Sequence, residues 1–217
     1  PTVCQGRGTA LTPRSALVDR LLRQHARRDA MSCFGLLAQP TPPFANASLI
    51  AGFAKHFAAN FDVNGTGAII ASPGAVPALS KFDVPGGYRF HWMRDGALSV
   101  EALLDTREVT RPYITDERIQ SLGAGYSSWV AQVQQVGAAD YAKPKWQIPS
   151  RTPYAGNWCT PQTDGPPLRA RSLLKLASQA TAARADALWR LAIRDLDWVA
   201  GAGAGGADHF SEPSCDL

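Results

Sequence analysis

No apolar run in the 217 residues approaches the roughly 20 needed to cross a bilayer, so the folded part is not expected to enter a membrane. The chain opens on Pro1 with no apolar signal core behind it, and localisation signals are therefore expected outside it. Its four cysteines, Cys4, Cys33, Cys159 and Cys215, lack the short spacing of a zinc site and leave the redox compartment open. Period-two strands are almost missing. So are a nucleophile elbow, a metal-spaced histidine pair and a dinucleotide-binding frame, and no metal or cofactor is expected. The run Gly201-Ala-Gly-Ala-Gly-Gly206 has no strand-loop-helix setting to cradle a phosphate and reads as a flexible connection.

Lysine is scarce too, 5 residues against 17 arginines, which reads as coding bias before any phosphate-binding role. The net charge of +4 is local: residues 1–30 carry six arginines against Asp19 and Asp29. The other 187 residues hold 16 basic and 16 acidic groups. A neutral body has no nucleic-acid footprint, so no nucleic-acid partner is expected. What the chain does have is apolar residues, 45 % of it, enough to core one domain or part of a larger one. Two triplets, Asn46-Ala-Ser48 and Asn64-Gly-Thr66, would accept N-glycans in a secreted protein.

Taken in order, residues 1–45 read as a basic, Pro-bearing arm or linker, and residues 46–217 as the folded body. In the arm, Ser15 to Arg28 sets Leu17, Leu21 and Leu22 opposite arginines, as in a targeting peptide, a surface anchor or a solvated linker helix. In the body, apolar spacing predicts helices over Ala45–Phe61, Asp95–Asp105, about Asp116–Val136, Leu168 to about Ala182, and Ala185–Ala200. The third keeps Ile119, Leu122, Tyr126, Trp129, Val130 and Val133 in register although Gly123 and Gly125 weaken it. Residues 138–168 read as a long loop whose Trp146, Tyr154 and Trp158 argue for function. The expected class is all-α.

The most informative stretch runs from Tyr88 to Asp105. Tyr88, Phe90 and Trp92 alternate with Arg89, His91 and Met93 as in a short extended segment. A helix follows, with Leu98, Val100, Ala102, Leu103 and Leu104 as its apolar neighbours and Asp95 as its expected cap. The junction gathers Trp92, Arg94 and Asp95: an aromatic face, a guanidinium and a carboxylate. Sugars are held this way, with rings stacked on the apolar face of a pyranose while Asp and Arg take its hydroxyls. The structural alternative has Trp92 filling core, Arg94 paired with Asp95, and Asp95 serving only as a cap.

The stretch from Trp158 to Ala170 repeats that logic. Trp158 offers a stacking face, Asp164-Gly165 turns the chain, and Pro166-Pro167 lead into a helix. Arg169 sits in the first turn, where the helix dipole disfavours it. That hints at a carboxylate partner such as Asp164, and Asp164 with Arg169 reads as a loop-fixing ion pair.

Five pieces now fall in one order: Gly67-Ala-Ile-Ile-Ala-Ser-Pro73, Tyr88 with Trp92-Met-Arg-Asp95, Lys143-Pro-Lys-Trp146, Trp158 with Pro161-Gln-Thr-Asp-Gly-Pro166, and Leu168-Arg-Ala170. In order and spacing the chain resembles the glucoamylases of glycoside hydrolase family 15, over about residues 46–217. The resemblance implies an (α/α)6 barrel, of which the helices here, about five, would be the N-terminal part. It implies release, with inversion, of terminal α-1,4-linked glucose from the non-reducing ends of starch, glycogen or dextrins. An α-glucan or malto-oligosaccharide would be the partner, the full-length protein would be a monomer, and the location would be secreted or endomembrane. By the same resemblance Arg94 and Asp95 match the pair that grips the non-reducing-end glucose. Tyr88 and Trp92 match the aromatic lining of that subsite, and Trp158 the loop tryptophan that stacks near the scissile bond. Asp216 and Leu217 match the residues before the family's Trp-Glu-Glu segment, whose first Glu is the general acid. Leu217 would touch the sugar and Asp216 would tune the acid.

The chain also departs from the pattern. Thr160 and Thr163 stand where many members carry Arg, and Cys159 where Gly is usual, which bears on affinity beyond the terminal glucose. An inverting glycosidase needs an acid and a base roughly 6.5–9.5 Å apart. Both would follow Leu217, so residues 1–217 alone are expected to be inactive. A second reading is a non-catalytic member of the same architecture, like the regulatory subunits of phosphorylase kinase, with the basic arm binding a partner. The retained Trp92, Arg94, Asp95 and Trp158 favour the enzyme, since a scaffold has no need of them.

Overall fold

In a computed structural model of the chain, residues 46–71, 89–137, 140–155 and 162–201 are described. They are mostly helical. Six α-helices are found among them: α1 Ala47–Ala58, α2 Met93–Asp105, α3 Arg107–Thr110, α4 Asp116–Val133, α5 Gly165–Ser178 and α6 Ala182–Val199. Two strands, β1 His91–Trp92 and β2 Lys145–Trp146, pair antiparallel. None of these helices is long and apolar enough to cross a membrane.

The helix starts follow their capping chemistry. Asn46 begins α1, its Oδ1 accepting the Ser48 N–H at 2.8 Å. Thr115 begins α4, with Asp116 and Glu117 in a first turn where the dipole favours anions. Helix α5 starts at Gly165, earlier than the Leu168 expected, because Pro166 and Pro167 occupy turn positions that need no N–H. Helix α2 starts at Met93, so Asp95 lies inside its first turn and Trp92 occupies the cap position that the sequence reading gave to Asp95. The four-residue α3 was not expected; it is too short to show a period.

Helices α2 and α5 are parallel neighbours in fixed register. Arg94 pairs with Asp164, Glu101 with Arg171 and Asp105 with Lys175, each pair 70 residues apart. A constant offset along both helices is possible only if they run in the same direction. Glu101 is thereby buried with both carboxylate oxygens on Arg171, at 2.6 Å each. Leu98, expected among the apolar neighbours of α2, is instead 43 % exposed; the buried face is Met93, Ala97, Val100, Leu103 and Leu104. Helix α6 folds back on α5 across the short link 179–181.

The core joins Val100, Leu103 and Leu104 of α2 to Ile119, Leu122, Tyr126 and Val130 of α4, Leu173 of α5 and Leu188 of α6. The glycines of α4 have a use there. A Cβ on Gly67, whose φ is +79°, would fall 1.9 Å from the Gly125 carbonyl oxygen, and one on Gly123 would fall 2.7 Å from Leu176. Their cost in helix propensity is offset by the close approach of the 67–70 segment and α5.

Candidate functional site

The site is built where β1 becomes α2. His91 and Trp92 pair with Trp146 and Lys145, and Ile70 bridges to His91 on the other side. The Met93 N–H, one of the orphan donors of a helix start, goes to the Pro144 carbonyl at 2.9 Å. Both peptide bonds and strand register therefore fix the first turn of α2, and with it Arg94 and Asp95. Of the extended segment expected over 88–93, His91–Trp92 is strand and Met93 is already helical; the strand is held by Lys145–Trp146, within the stretch 138–168 expected to be a loop.

His91 is the keystone of that junction. It is 2 % exposed, and its Nδ1 accepts the Ile69 N–H at 3.1 Å, so the proton of the neutral ring lies on Nε2. Burial, helped by the charge of Arg169, lowers its pKa from 6.5 to about 3. The fold thus holds His91 neutral, and stability follows with a definite sign. It is complete above the ordinary histidine pKa and falls with acid, because the unfolded chain takes up a proton that the folded chain refuses. We expect a loss of up to about 1.4 kcal/mol per pH unit below about pH 6.5 from this residue. Urea unfolding of the chain and of His91→Asn across that window measures it: the variant is less stable at neutral pH, and its stability changes less with acid. Equal slopes would contradict the assignment.

Around Trp92 lies an aromatic cluster that the sequence reading saw only in part. The Lys145 Nζ, almost fully buried, sits 4.2 Å from the ring centres of Phe90 and Tyr154 and 5.1 Å from that of Trp92. The signal was present in Lys143-Pro-Lys-Trp146, but only strand pairing shows that Lys145 stands opposite Trp92.

Arg94 joins the two motifs. Its Nη1 donates to Asp164 Oδ2 at 2.7 Å, while its Nε is 4.0 Å from Asp95 Oδ2. The guanidinium is thus shared between a carboxylate in its own motif and one 70 residues on. The hydrogen bond to Asp164 raises the Arg94 pKa further above its ordinary value. All three side chains remain nearly half exposed, open to a ligand. A cation in the first turn of α2 opposes the helix dipole, and the two carboxylates, each at a helix start, balance it. Gly165 lets the helix starts meet: a Cβ there would lie 2.5 Å from Met93 Sδ.

Asp164 and Arg169 are not partners, contrary to the sequence reading. Arg169 is buried and grips Asp195 of α6, its Nε lying 3.1 and 2.9 Å from the two carboxylate oxygens. The two residues occupy different faces of the α5 start: Asp164 meets α2, and Arg169 meets α6. Tyr88, Trp158, Asp216 and Leu217 lie outside the described residues.

A guanidinium between two carboxylates, in the turn that follows the buried Trp92, offers donors and acceptors at once. Such an array suits vicinal hydroxyls, which both give and take hydrogen bonds. The class this defines is a helical protein whose charged side chains gather where two helix starts meet. Residues 53–205 match the sequence profile of glycosyl hydrolases family 15, and the chain belongs to that family. It is 28 % identical over 174 residues to a probable glucoamylase of Schizosaccharomyces pombe, covering 75 % of this chain and 36 % of that one. It is 33 % identical over 175 residues to glucoamylase-1 of Schizophyllum commune, covering 72 % of this chain and 27 % of that one. The glucoamylase structure from Saccharomycopsis fibuligera superposes with a TM-score of 0.56 at 18 % identity, over 71 % of this chain and 36 % of the other. The fold is therefore part of an (α/α)6 barrel. The chain spans 36 % and 27 % of the length of the two curated relatives.

Proposed function

We propose that the chain carries the substrate-gripping part of a glucan 1,4-α-glucosidase, which releases terminal α-1,4-linked glucose from starch, glycogen or dextrins with inversion. The observation that supports this most is the Arg94–Asp164 contact, at 2.7 Å, with Asp95 beside it. In this reading Arg94 donates to the hydroxyls of the non-reducing-end glucose and Asp95 accepts from them. Asp164 is a positioning residue that holds the guanidinium. Trp92 lines the subsite with Tyr88, and Trp158 stacks near the scissile bond. Leu217 contacts the sugar, and Asp216 flanks the general acid.

Inversion requires an acid to protonate the leaving oxygen and a base to activate water on the other face of the ring. Arg94, Asp95 and Asp164 are tied to one another and serve binding. In this reading residues 1–217 by themselves hydrolyse no glycosidic bond, and an extended chain supplying both carboxyl groups does. Glucose release from maltose and from soluble starch, by purified 1–217 and by the extended enzyme against buffer, tests it. Turnover that co-purifies with 1–217 would mean an acid–base pair lies inside these residues. No turnover by the extended enzyme on any α-glucan would remove the glucosidase reading.

A further inference from the structure

The glucan-binding arrangement makes no use of the turn Asp62 to Gly67. The geometry points to Asn64 in that turn as an N-glycan acceptor that the fold leaves open. The triplet Asn64-Gly65-Thr66 has no proline in its middle position, and both Asn64 and Gly65 are exposed. Asn64 adopts a left-handed conformation, φ 56° and ψ 28°, in the short 3-10 turn Val63–Gly65.

The turn is closed by other groups. The Gly65 N–H donates to the Asp62 carbonyl at 3.0 Å, the Thr66 N–H to the Val63 carbonyl at 3.2 Å, and the Gly67 N–H to Asp62 Oδ1 at 2.9 Å. Thr66 Oγ1 donates to the Val63 carbonyl at 2.6 Å. Among the described residues no hydrogen bond engages the Asn64 side-chain amide, so a sugar on Nδ2 would displace none of these contacts. The other triplet differs. Asn46 Oδ1 accepts from both the N–H and the hydroxyl of Ser48, at 2.8 and 2.7 Å, and so caps α1.

The donor is a lipid-diphosphate-linked oligosaccharide. Asn64 Nδ2 attacks its anomeric carbon, and a C–N bond forms as the C–O bond to phosphate breaks. The bonding electrons leave on the diphosphate, and the amide proton passes to a base of the transferase. Asn64 stays an amide, so its charge is unchanged and the turn keeps its hydrogen bonds.

The test is expression of the whole chain behind an added secretory leader in a glycosylating eukaryotic host. Secreted protein is treated with peptide-N-glycosidase in heavy-oxygen water, and tryptic peptides are weighed. Cleavage after Lys55 and Lys81 puts Asn64 and Asn46 on separate peptides, so each site is read alone. We expect the heavy label on the 56–81 peptide, a gel shift removed by the glycosidase, and loss of both in Asn64→Gln with secreted yield unchanged. Thr66→Ser should keep the label. An unlabelled 56–81 peptide in secreted chain overturns the proposal, whether Asn46 is labelled or not.

Discussion

Asp95→Asn in the extended enzyme should lower kcat/KM on maltose by about a hundredfold to a thousandfold while leaving the fold intact. The change is isosteric, but it replaces one of two accepting oxygens by a donor and removes the charge. Hydrogen bonds to a charged group contribute about 1.5–3 kcal/mol each and neutral ones about 1, so losing one bond outright and the charge behind the other costs on the order of 3–4 kcal/mol in the transition state. Stability should hardly move, because Asp95 is 43 % exposed and its one close ionic neighbour among the described residues, Arg94, stands at 4.0 Å. What the fold loses is a helix-dipole interaction of about 0.3–1 kcal/mol. Asp164→Asn should act more weakly on activity. It releases Arg94 from a 2.7 Å hydrogen bond without touching the sugar, so KM should rise more than kcat falls. Wild-type kinetics in Asp95→Asn, measured on maltose and on a longer malto-oligosaccharide, would remove this carboxylate from the substrate grip.

The candidate site was legible in part because its parts are local. Arg94 and Asp95 are adjacent, and the conflict between Arg94 and the dipole of α2 can be read from the first turn alone. The helices were legible for a similar reason. Ile119, Leu122, Tyr126, Trp129, Val130 and Val133 repeat at helical spacing, and all six are buried. Partners across elements were not legible. The wrong-end charge on Arg169 correctly signalled a carboxylate, yet the nearest one in sequence, Asp164, was the wrong choice. The right one lies 26 residues on in α6, and only the turn at 179–181 brings it back. Leu98 shows the converse error. Its hydropathy matches its neighbours, but the register set by Glu101 on Arg171 turns it outward. Period locates an apolar face to within a residue or so; ion pairs across helices decide where that face ends.

The Arg169–Asp195 pair should also carry the largest single effect on stability. Arg169 is 1 % exposed and Asp195 0 %, and Tyr141 donates its hydroxyl to Asp195 Oδ1 at 2.8 Å. The Arg169 guanidinium also lies over the Tyr141 ring, 5.0 Å from its centre. Three elements thus meet on one carboxylate: α5 through Arg169, α6 through Asp195, and the segment leading to β2 through Tyr141. Burial opposes the charge on Arg169, but the Coulomb attraction and hydrogen bonds of Asp195 overcome it and hold the guanidinium well above its ordinary pKa. Asp195→Asn keeps the shape and strands a buried cation. It should destabilise by about 3–5 kcal/mol, the range for breaking a buried pair from one side. At about 2–4 °C per kcal/mol for a chain of this size, the melting temperature should fall by roughly 6–20 °C. The double variant Arg169→Met with Asp195→Leu removes both charges and their desolvation together. It should recover much of the loss, though not all, because Tyr141 is then left without its acceptor. Urea unfolding of Arg169→Met, of Asp195→Leu and of the double variant closes the cycle. Additive losses would show that the two charges are not coupled, and that the junction of α5, α6 and the β2 segment is held by packing alone.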